Sequence, residues 1–171
     1  MKQNWPASLD FVWEFDGLRH DAAPGEAFTT SYGVTAMTWE TARGRGIVSK
    51  PIQEATQEDC GLILHDFYWD RVDGDNLPSG TDLVIFNSAM IAGVRHAAPL
   101  AQRIVGADED GIIGPLTVLA IRGMHPIPFI QAYTAADARF FAGLARAPLF
   151  LAGWDRRADA AAARALELVN R

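Results

Sequence analysis

Glu14 has the sequence surroundings that acid catalysis requires. The apolar residues Phe11, Val12 and Trp13 precede it, and Phe15 follows it. An apolar environment favours the protonated form of a carboxyl group, and the general acid of glycoside cleavage must carry a proton at neutral pH. Glu14 is therefore a candidate general acid. The alternative interpretation is a surface glutamate near the end of a helix.

Acidic and hydroxyl side chains follow Glu14 in a polar stretch. Glycoside hydrolysis usually needs a second group, which is a carboxylate nucleophile, a base, or a polar residue that holds water. Asp21, Glu26 and Thr30 are the candidates for that role. Acids in loops also form turns, so a purely structural role is the alternative for each of them.

Several aromatic side chains are candidates for stacking on sugar rings. They are Tyr32, Trp39, Tyr68 and Trp69. Phe67, Tyr68 and Trp69 are consecutive, and one face of a helix cannot bury three consecutive side chains. We therefore expect at least one of the three to face a groove or solvent, with core packing as the alternative for all of them.

Other kinds of chemistry have no support in the sequence. Cys60 is the only cysteine, which excludes an internal disulfide and a cysteine-based zinc cluster. The four histidines lack metal-binding spacing, and no glycine-rich nucleotide loop or G-x-S-x-G motif occurs. We expect neither a metal nor an organic cofactor.

Length and charge limit the function classes further. The chain has 171 residues and a net charge of -6, which argues against nucleic-acid binding and against a polybasic membrane-surface protein. Residues 1–15 lack the apolar run of a signal peptide. No apolar stretch is long enough to span a bilayer. We expect synthesis in the cytoplasm without a signal peptide and no stable membrane insertion.

The elements that must position these residues are predicted to be mainly α-helical. Residues 16–36 have neither helical nor strand periodicity, which predicts a long ordered loop or a small β-hairpin. Thr56 and Asp59 have the spacing of a capping box at the start of a helix. Helices are predicted over 7–15, 38–45, from Thr56 onward, and over 81–92, 95–105, 115–122, 128–145 and 155–170. A break is predicted from Pro148 to Gly153.

Six short elements in a fixed order resemble glycoside hydrolase family 108, a family of lysozyme-like muramidases. They are Glu14-Phe15-Asp16-Gly17, Asp21-Ala22-Ala23-Pro24-Gly25, Tyr32-Gly33-Val34-Thr35, Phe67-Tyr68-Trp69-Asp70 with Leu77-Pro78-Ser79-Gly80, Asp110-Gly111-Ile112-Ile113-Gly114-Pro115-Leu116-Thr117, and Gly153-Trp154 with Arg157. The resemblance covers nearly the whole chain. It implies a lysozyme-like helical fold, with a catalytic region over 1–80 and a helical peptidoglycan-binding region over 81–171 in one compact unit.

The resemblance also implies roles for individual residues. Glu14 corresponds to the catalytic glutamate of the family. Ala23 stands where the family has an aspartate, so Asp21 or Glu26 would replace that aspartate. Asn87 replaces a family acid and is placed among the substrate-binding residues, and Ile91 replaces an amide.

The implied activity is cleavage of the β-1,4 bond between N-acetylmuramic acid and N-acetylglucosamine. The partner is the peptidoglycan glycan strand, and the site of action is the periplasm or the cell wall. The implied context is a phage or prophage endolysin released through a holin, or export by a dedicated route. The departures from the family keep a second interpretation open, a non-catalytic peptidoglycan-binding or assembly protein, and a lytic transglycosylase is a third.

Overall fold

The computed structural model describes residues 2–17, 30–144 and 147–171. The predicted mainly α-helical class is confirmed. The α-helices of the described residues are α1 (Trp5–Asp16), α2 (Ala36–Gly44), α3 (Gln57–Leu64), α4 (Thr81–Ala92), α5 (Val94–Val105), α6 (Pro115–Gly123), α7 (Pro126–Ala142) and α8 (Ala147–Val169). A π-helical turn covers His65–Trp69, and short 3₁₀ turns cover Lys2–Asn4, Ile52–Glu54, Asp70–Val72 and Gly74–Asn76.

The predicted hairpin forms in the described part of residues 16–36. β1 (Thr30–Ser31) pairs antiparallel with β2 (Val34–Thr35). Tyr32 and Gly33 make the two-residue turn between them, with φ angles of 48° and 82°. Positive φ at both central residues is what a tight hairpin turn requires. Glycine adopts that conformation freely, but tyrosine does so at a cost in backbone strain.

Capping side chains begin two of the helices near the hairpin. Thr35 accepts a hydrogen bond from the Thr38 backbone N–H at the start of α2. The predicted capping box of α3 is confirmed, since Thr56 and Asp59 each accept from the other's backbone N–H. Such caps each stabilise a helix by about 1 kcal/mol.

The predicted break over 148–153 is wrong, because α8 runs through it without interruption. Pro148 is the second residue of the helix, where the missing N–H would have no intrahelical partner in any case. Gly153 lies inside the helix and only lowers its intrinsic propensity.

Leu9–Phe67 form one of two compact units. Its core consists of side chains from the second half of α1, from β2, and from α2 and α3. They are Phe11, Val12, Val34, Trp39, Ile63 and Leu64. The Cys60 thiol donates to the Ser31 carbonyl at 3.4 Å and so joins α3 to β1.

Met1–Ser8 and Tyr68–Arg171 form the other unit. Helix α4 lies at its centre and contacts α5, α7 and α8. Every residue from Thr81 to Ala89 is buried, as expected of a helix that is apolar on all sides. The buried Asp82 carboxylate accepts from the Asn4 side chain and from the Gly80 and Leu83 backbone N–H groups. Burial raises the pKa of this carboxyl despite these bonds. None of the described helices has the length and apolarity that crossing a membrane requires.

Candidate active site

Glu14 lies in the last turn of α1, and its side chain is exposed. The expected shielding by Trp13 and Phe15 is not found. Consecutive helical residues point about 100° apart, so the sequence neighbours of Glu14 cannot cover it. Phe15 packs instead against Phe11, with ring centroids 4.9 Å apart. The carboxyl of Glu14 is thus accessible to a large substrate.

The turn of the β1–β2 hairpin lies beside the helical turn that carries Glu14. The Tyr32 ring meets the Trp13 ring edge-on, with centroids 6.4 Å apart. Tyr32 is half-buried and holds its positive φ in spite of its side chain. Strained backbone of this kind persists where the surrounding structure enforces it, and it is concentrated at functional sites.

Helix α3 supports both the hairpin and the end of α1. Gly61 allows the close approach, because a Cβ at this position would lie 3.3 Å from the Leu9 side chain and 4.0 Å from Trp13. Glu14, Trp13 and Tyr32 are therefore carried by elements that contact one another within the unit Leu9–Phe67. The contact of Trp13 with Tyr32 could not be predicted from the sequence, because no local pattern pairs a residue near a helix end with a turn residue nineteen positions later.

Only one of the candidate partners of Glu14 lies among the described residues. Thr30 is half-buried at the start of β1, opposite Thr35. Asp21, Glu26 and Ala23 lie outside the described residues.

Cys60 of α3 bonds to the hairpin, and its environment makes the thiol inert. The side chain is buried, and burial raises the pKa of the thiol to about 11. A thiol with that pKa is almost entirely protonated at neutral pH, and the thiolate is the reactive form. Cys60 therefore has a structural role.

Two of the proposed sugar-stacking residues are core residues, and that expectation is corrected. Trp39 is fully buried, and its indole N–H donates to the Lys50 carbonyl at 3.0 Å. Trp69 is also fully buried and donates to the Asp75 carboxylate at 2.8 Å. A glycan strand has no access to either ring. In each residue the apolar part of the indole is packed in the core, and the N–H has one hydrogen-bond acceptor.

The two residues that precede Trp69 are partly accessible. Tyr68 is half-buried, in the same unit as Trp69. The Arg45 guanidinium lies 4.5 Å from the centre of the Phe67 ring and pairs with Asp66 at 3.3 Å. Of the three consecutive aromatic residues, Trp69 alone is fully buried, which agrees with the expectation that one helix face could not cover them all.

Asn87 is a second correction among the proposed substrate-binding residues. It lies in α4, is buried, and its amide oxygen accepts from Arg157 Nε at 2.7 Å. This bond joins α4 to α8 in the core of their unit. Asn87 is therefore placed to stabilise the helix packing and not to contact a substrate.

The described residues contain no group of three histidine, cysteine, aspartate or glutamate side chains that could hold a metal ion. Acid–base chemistry by carboxyl groups is what the described part of the site can perform. Its accessible groups are Glu14, Thr30 and Tyr32.

Comparison with known proteins agrees with this arrangement. The sequence model of the family Glycosyl hydrolase 108 matches residues 10–93, a range that includes Glu14 and the hairpin. No curated protein matches the chain. Among solved structures, the chain is similar to SagA of Brucella abortus, with 28% sequence identity and a TM-score of 0.90 over 100% of this chain and 98% of that one.

The family match and the structural similarity support one assignment. The matched range covers the end of α1, the hairpin, α2, α3 and α4. At the level of the family, the assignment implies hydrolysis of glycosidic bonds in peptidoglycan. Over residues 10–93, the chain is similar to glycosyl hydrolase family 108.

Proposed function

We propose that this protein is an N-acetylmuramidase that uses Glu14 as its general acid. The bond cleaved is the β-1,4 bond between N-acetylmuramic acid and N-acetylglucosamine. The observation that carries the proposal is the exposed Glu14 carboxyl beside the Trp13–Tyr32 contact, inside the range matched by the family.

In this proposal Glu14 gives its proton to the leaving glycosidic oxygen while the bond to the sugar carbon breaks. A water attacks that carbon, and its proton passes to a carboxylate, that of Asp21 or Glu26. Thr30 holds the water through its hydroxyl. The transition state resembles an oxocarbenium ion, so negative charge near the sugar ring stabilises it.

Tyr32 is the proposed sugar contact of this site. Tyr68 is proposed separately as a sugar contact of the other unit. Tyr32 is supported by its half-exposed ring, by its strained backbone and by its contact with Trp13. Tyr68 is supported by its partial exposure alone.

We also propose a division of labour along the chain. Residues 1–80 carry the hydrolytic chemistry, and residues 81–171 carry a peptidoglycan-binding region. The first part is supported by the position of Glu14 and the hairpin. The place of action is the peptidoglycan layer, in the periplasm or at the cell wall, and a holin-dependent release of a phage or prophage endolysin belongs to the same proposal.

The test is digestion of purified peptidoglycan by the wild type and Glu14→Gln, with the products identified by mass spectrometry. We expect new reducing ends at N-acetylmuramic acid from the wild type and a loss of roughly a thousandfold or more in Glu14→Gln, since proton transfer and its positioning are both removed. Glu54→Gln is the matched control, because Glu54 is an exposed glutamate of the same unit.

Other product patterns would contradict the proposal. 1,6-Anhydro ends would make the protein a lytic transglycosylase. No cleavage by the wild type, with sacculus binding intact, would leave a non-catalytic binding or assembly protein. Full activity in Glu14→Gln would assign the acid to another residue.

A further inference from the structure

Helices α5 and α7 enclose an open cleft of about 860 Å³ that lies outside the proposed catalytic groups. Its floor is aliphatic and includes Leu100, Ile104, Ala132 and Ala136. Its polar lining consists of basic residues and one histidine, with no carboxylate among the lining residues. The volume is within the range of small-ligand sites, and a mainly apolar floor with a few charged groups is their usual composition.

One end of the cleft is fixed by a buried hydrogen-bond network. His96 Nε2 and Ser88 Oγ both bond to the Asp137 carboxylate, at 2.7 Å and 2.9 Å. The His96 ring also stacks on Phe140, with centroids 3.7 Å apart. Asp137 and Ser88 are buried. The wall of the cleft at this end is therefore preorganised.

Two arginines lie at the same fixed end. Arg95 precedes His96 on α5, Arg139 precedes Phe140 on α7, and both arginines line the cleft. Within the described part of the chain, neither guanidinium has a hydrogen-bond or ion-pair partner. Arg103 lies eight residues along α5, about 12 Å from Arg95, and it is already paired with Glu109 at 2.9 Å.

We propose that this cleft binds a carboxylate carried on a small apolar body, such as the C-terminal end of an alanine-rich peptide. Two guanidiniums that line one cleft without a partner among the described residues can donate to a planar oxyanion, to which arginine donates in pairs. The alanines of α7 leave room for methyl-sized groups on the adjoining floor. Arg95 and Arg139, with no carboxylate among the lining residues, give the cleft the charge that a carboxylate ligand requires. This site is independent of Glu14 and of the hydrolytic function.

The test is a titration followed by NMR, with acetyl-alanyl-alanine as the probe and its C-terminal amide as the uncharged analogue. We expect the free acid to shift the signals of His96, Ala135 and Phe140 in a saturable manner. The amide should bind at least about tenfold more weakly, because it lacks the charge-assisted bonds.

Arginine variants distinguish binding in the cleft from a general effect of charge on binding. Arg95→Ala combined with Arg139→Ala should weaken the free acid at least about tenfold, with the helical circular dichroism and Tm unchanged. Arg156→Ala is the control, because Arg156 is an exposed arginine of α8 outside the cleft. Combined with Arg171→Ala, at another exposed arginine outside the cleft, it removes the same two charges as the double variant and should leave binding intact.

Butyrate is the probe that distinguishes a peptide end from a free short-chain acid as the source of the carboxylate. Tighter binding of the dipeptide than of butyrate would support a peptide end, and equal binding would support a free short-chain acid. Equal binding of the acid and the amide would overturn the proposal, as would no saturable shift at millimolar probe or an unaffected double variant. Loss of a concentration-dependent dimer in the double variant would overturn it as well, by making the cleft an interface between copies.

Discussion

Tyr32 is the residue at which stability and function are most clearly in opposition. Its φ of 48° is unfavourable for an aromatic side chain. The turn would form more easily with asparagine or glycine, which tolerate this conformation. The ring is retained at the cost of strain, and it lies beside the helical turn of Glu14 through its contact with Trp13.

Replacing Tyr32 by asparagine should therefore lower activity without unfolding the protein. Relief of backbone strain offsets the lost ring contact, so the free energy of unfolding should change by less than about 1 kcal/mol. The value of kcat/KM on peptidoglycan should fall about fivefold, because one aromatic contact with the substrate is lost. Tyr32→Phe is the control, since it keeps the ring. An unchanged kcat/KM in Tyr32→Asn would remove Tyr32 from the substrate contacts.

Some residue roles could be predicted from sequence neighbours, and others could not because they depend on tertiary packing. The position of Glu14 near the end of a helix could be read from the local sequence. The burial of Trp39 and Trp69 could not, because it depends on acceptors, the Lys50 carbonyl and the Asp75 carboxylate, that local periodicity does not identify. The same holds for Asn87, whose partner Arg157 lies seventy residues away.

At the scale of elements, the Leu77–Gly80 segment precedes α4 and packs closely against α8 at Gly80. A Cβ on Gly80 would overlap the Ala165 carbonyl oxygen and lie 2.9 Å from the Val169 side chain. Gly80 also has a φ of 83°. Gly93 at the other end of α4 has a similar φ of 85°, but nothing lies within 4 Å of its Cβ position.

Alanine substitutions at Gly80 and Gly93 distinguish the cost of backbone strain from the cost of steric overlap. Gly93→Ala should lower the free energy of unfolding by about 1–3 kcal/mol through strain alone. Gly80→Ala should lower the free energy of unfolding by about 1–3 kcal/mol more than Gly93→Ala does, because α8 must move. Chemical denaturation monitored by circular dichroism measures both. Equal losses in the two variants would show that α8 does not constrain Gly80.

Helix boundaries could be predicted where glycine and proline act at the ends of an apolar segment. The predicted range of 81–92 for α4 agrees with the observed one, because Gly80 and Gly93 flank a continuous apolar run. The predicted start of α8 at 155 is too late, because the prediction assigns Pro148 to a break and the helix begins at Ala147. Proline in the first turn of a helix and proline after its end look alike in a sequence that lacks the neighbouring structure.

At the scale of the whole molecule, the net charge of -6 opposes long-range attraction to peptidoglycan, which is also anionic. In the proposed function, substrate contact therefore depends on short-range groups, such as the proposed contact Tyr32, and not on electrostatic steering. The arginines of the α5–α7 cleft act only at short range, since charges are screened over about 10 Å at 0.1 M salt.

Raising the ionic strength from low to physiological values should leave the initial rate of sacculus clearing unchanged or increase it by up to about threefold, because salt screens the repulsion. Peptidoglycan with amidated carboxyl groups is the control substrate, and its clearing should depend less on salt. A steep fall of the rate with salt would instead indicate attraction through a basic surface.

The burial of Trp39 and Trp69 should be visible in their fluorescence. Each indole is shielded from water and held by one hydrogen bond, and the two lie in different compact units. Their fluorescence should be shifted to short wavelength and protected from iodide quenching in the folded protein. The chain has five tryptophans, so a variant that keeps Trp39 alone and one that keeps Trp69 alone would give each unit its own optical reporter. The unfolding of the Glu14 unit and that of the α4 unit could then be followed separately.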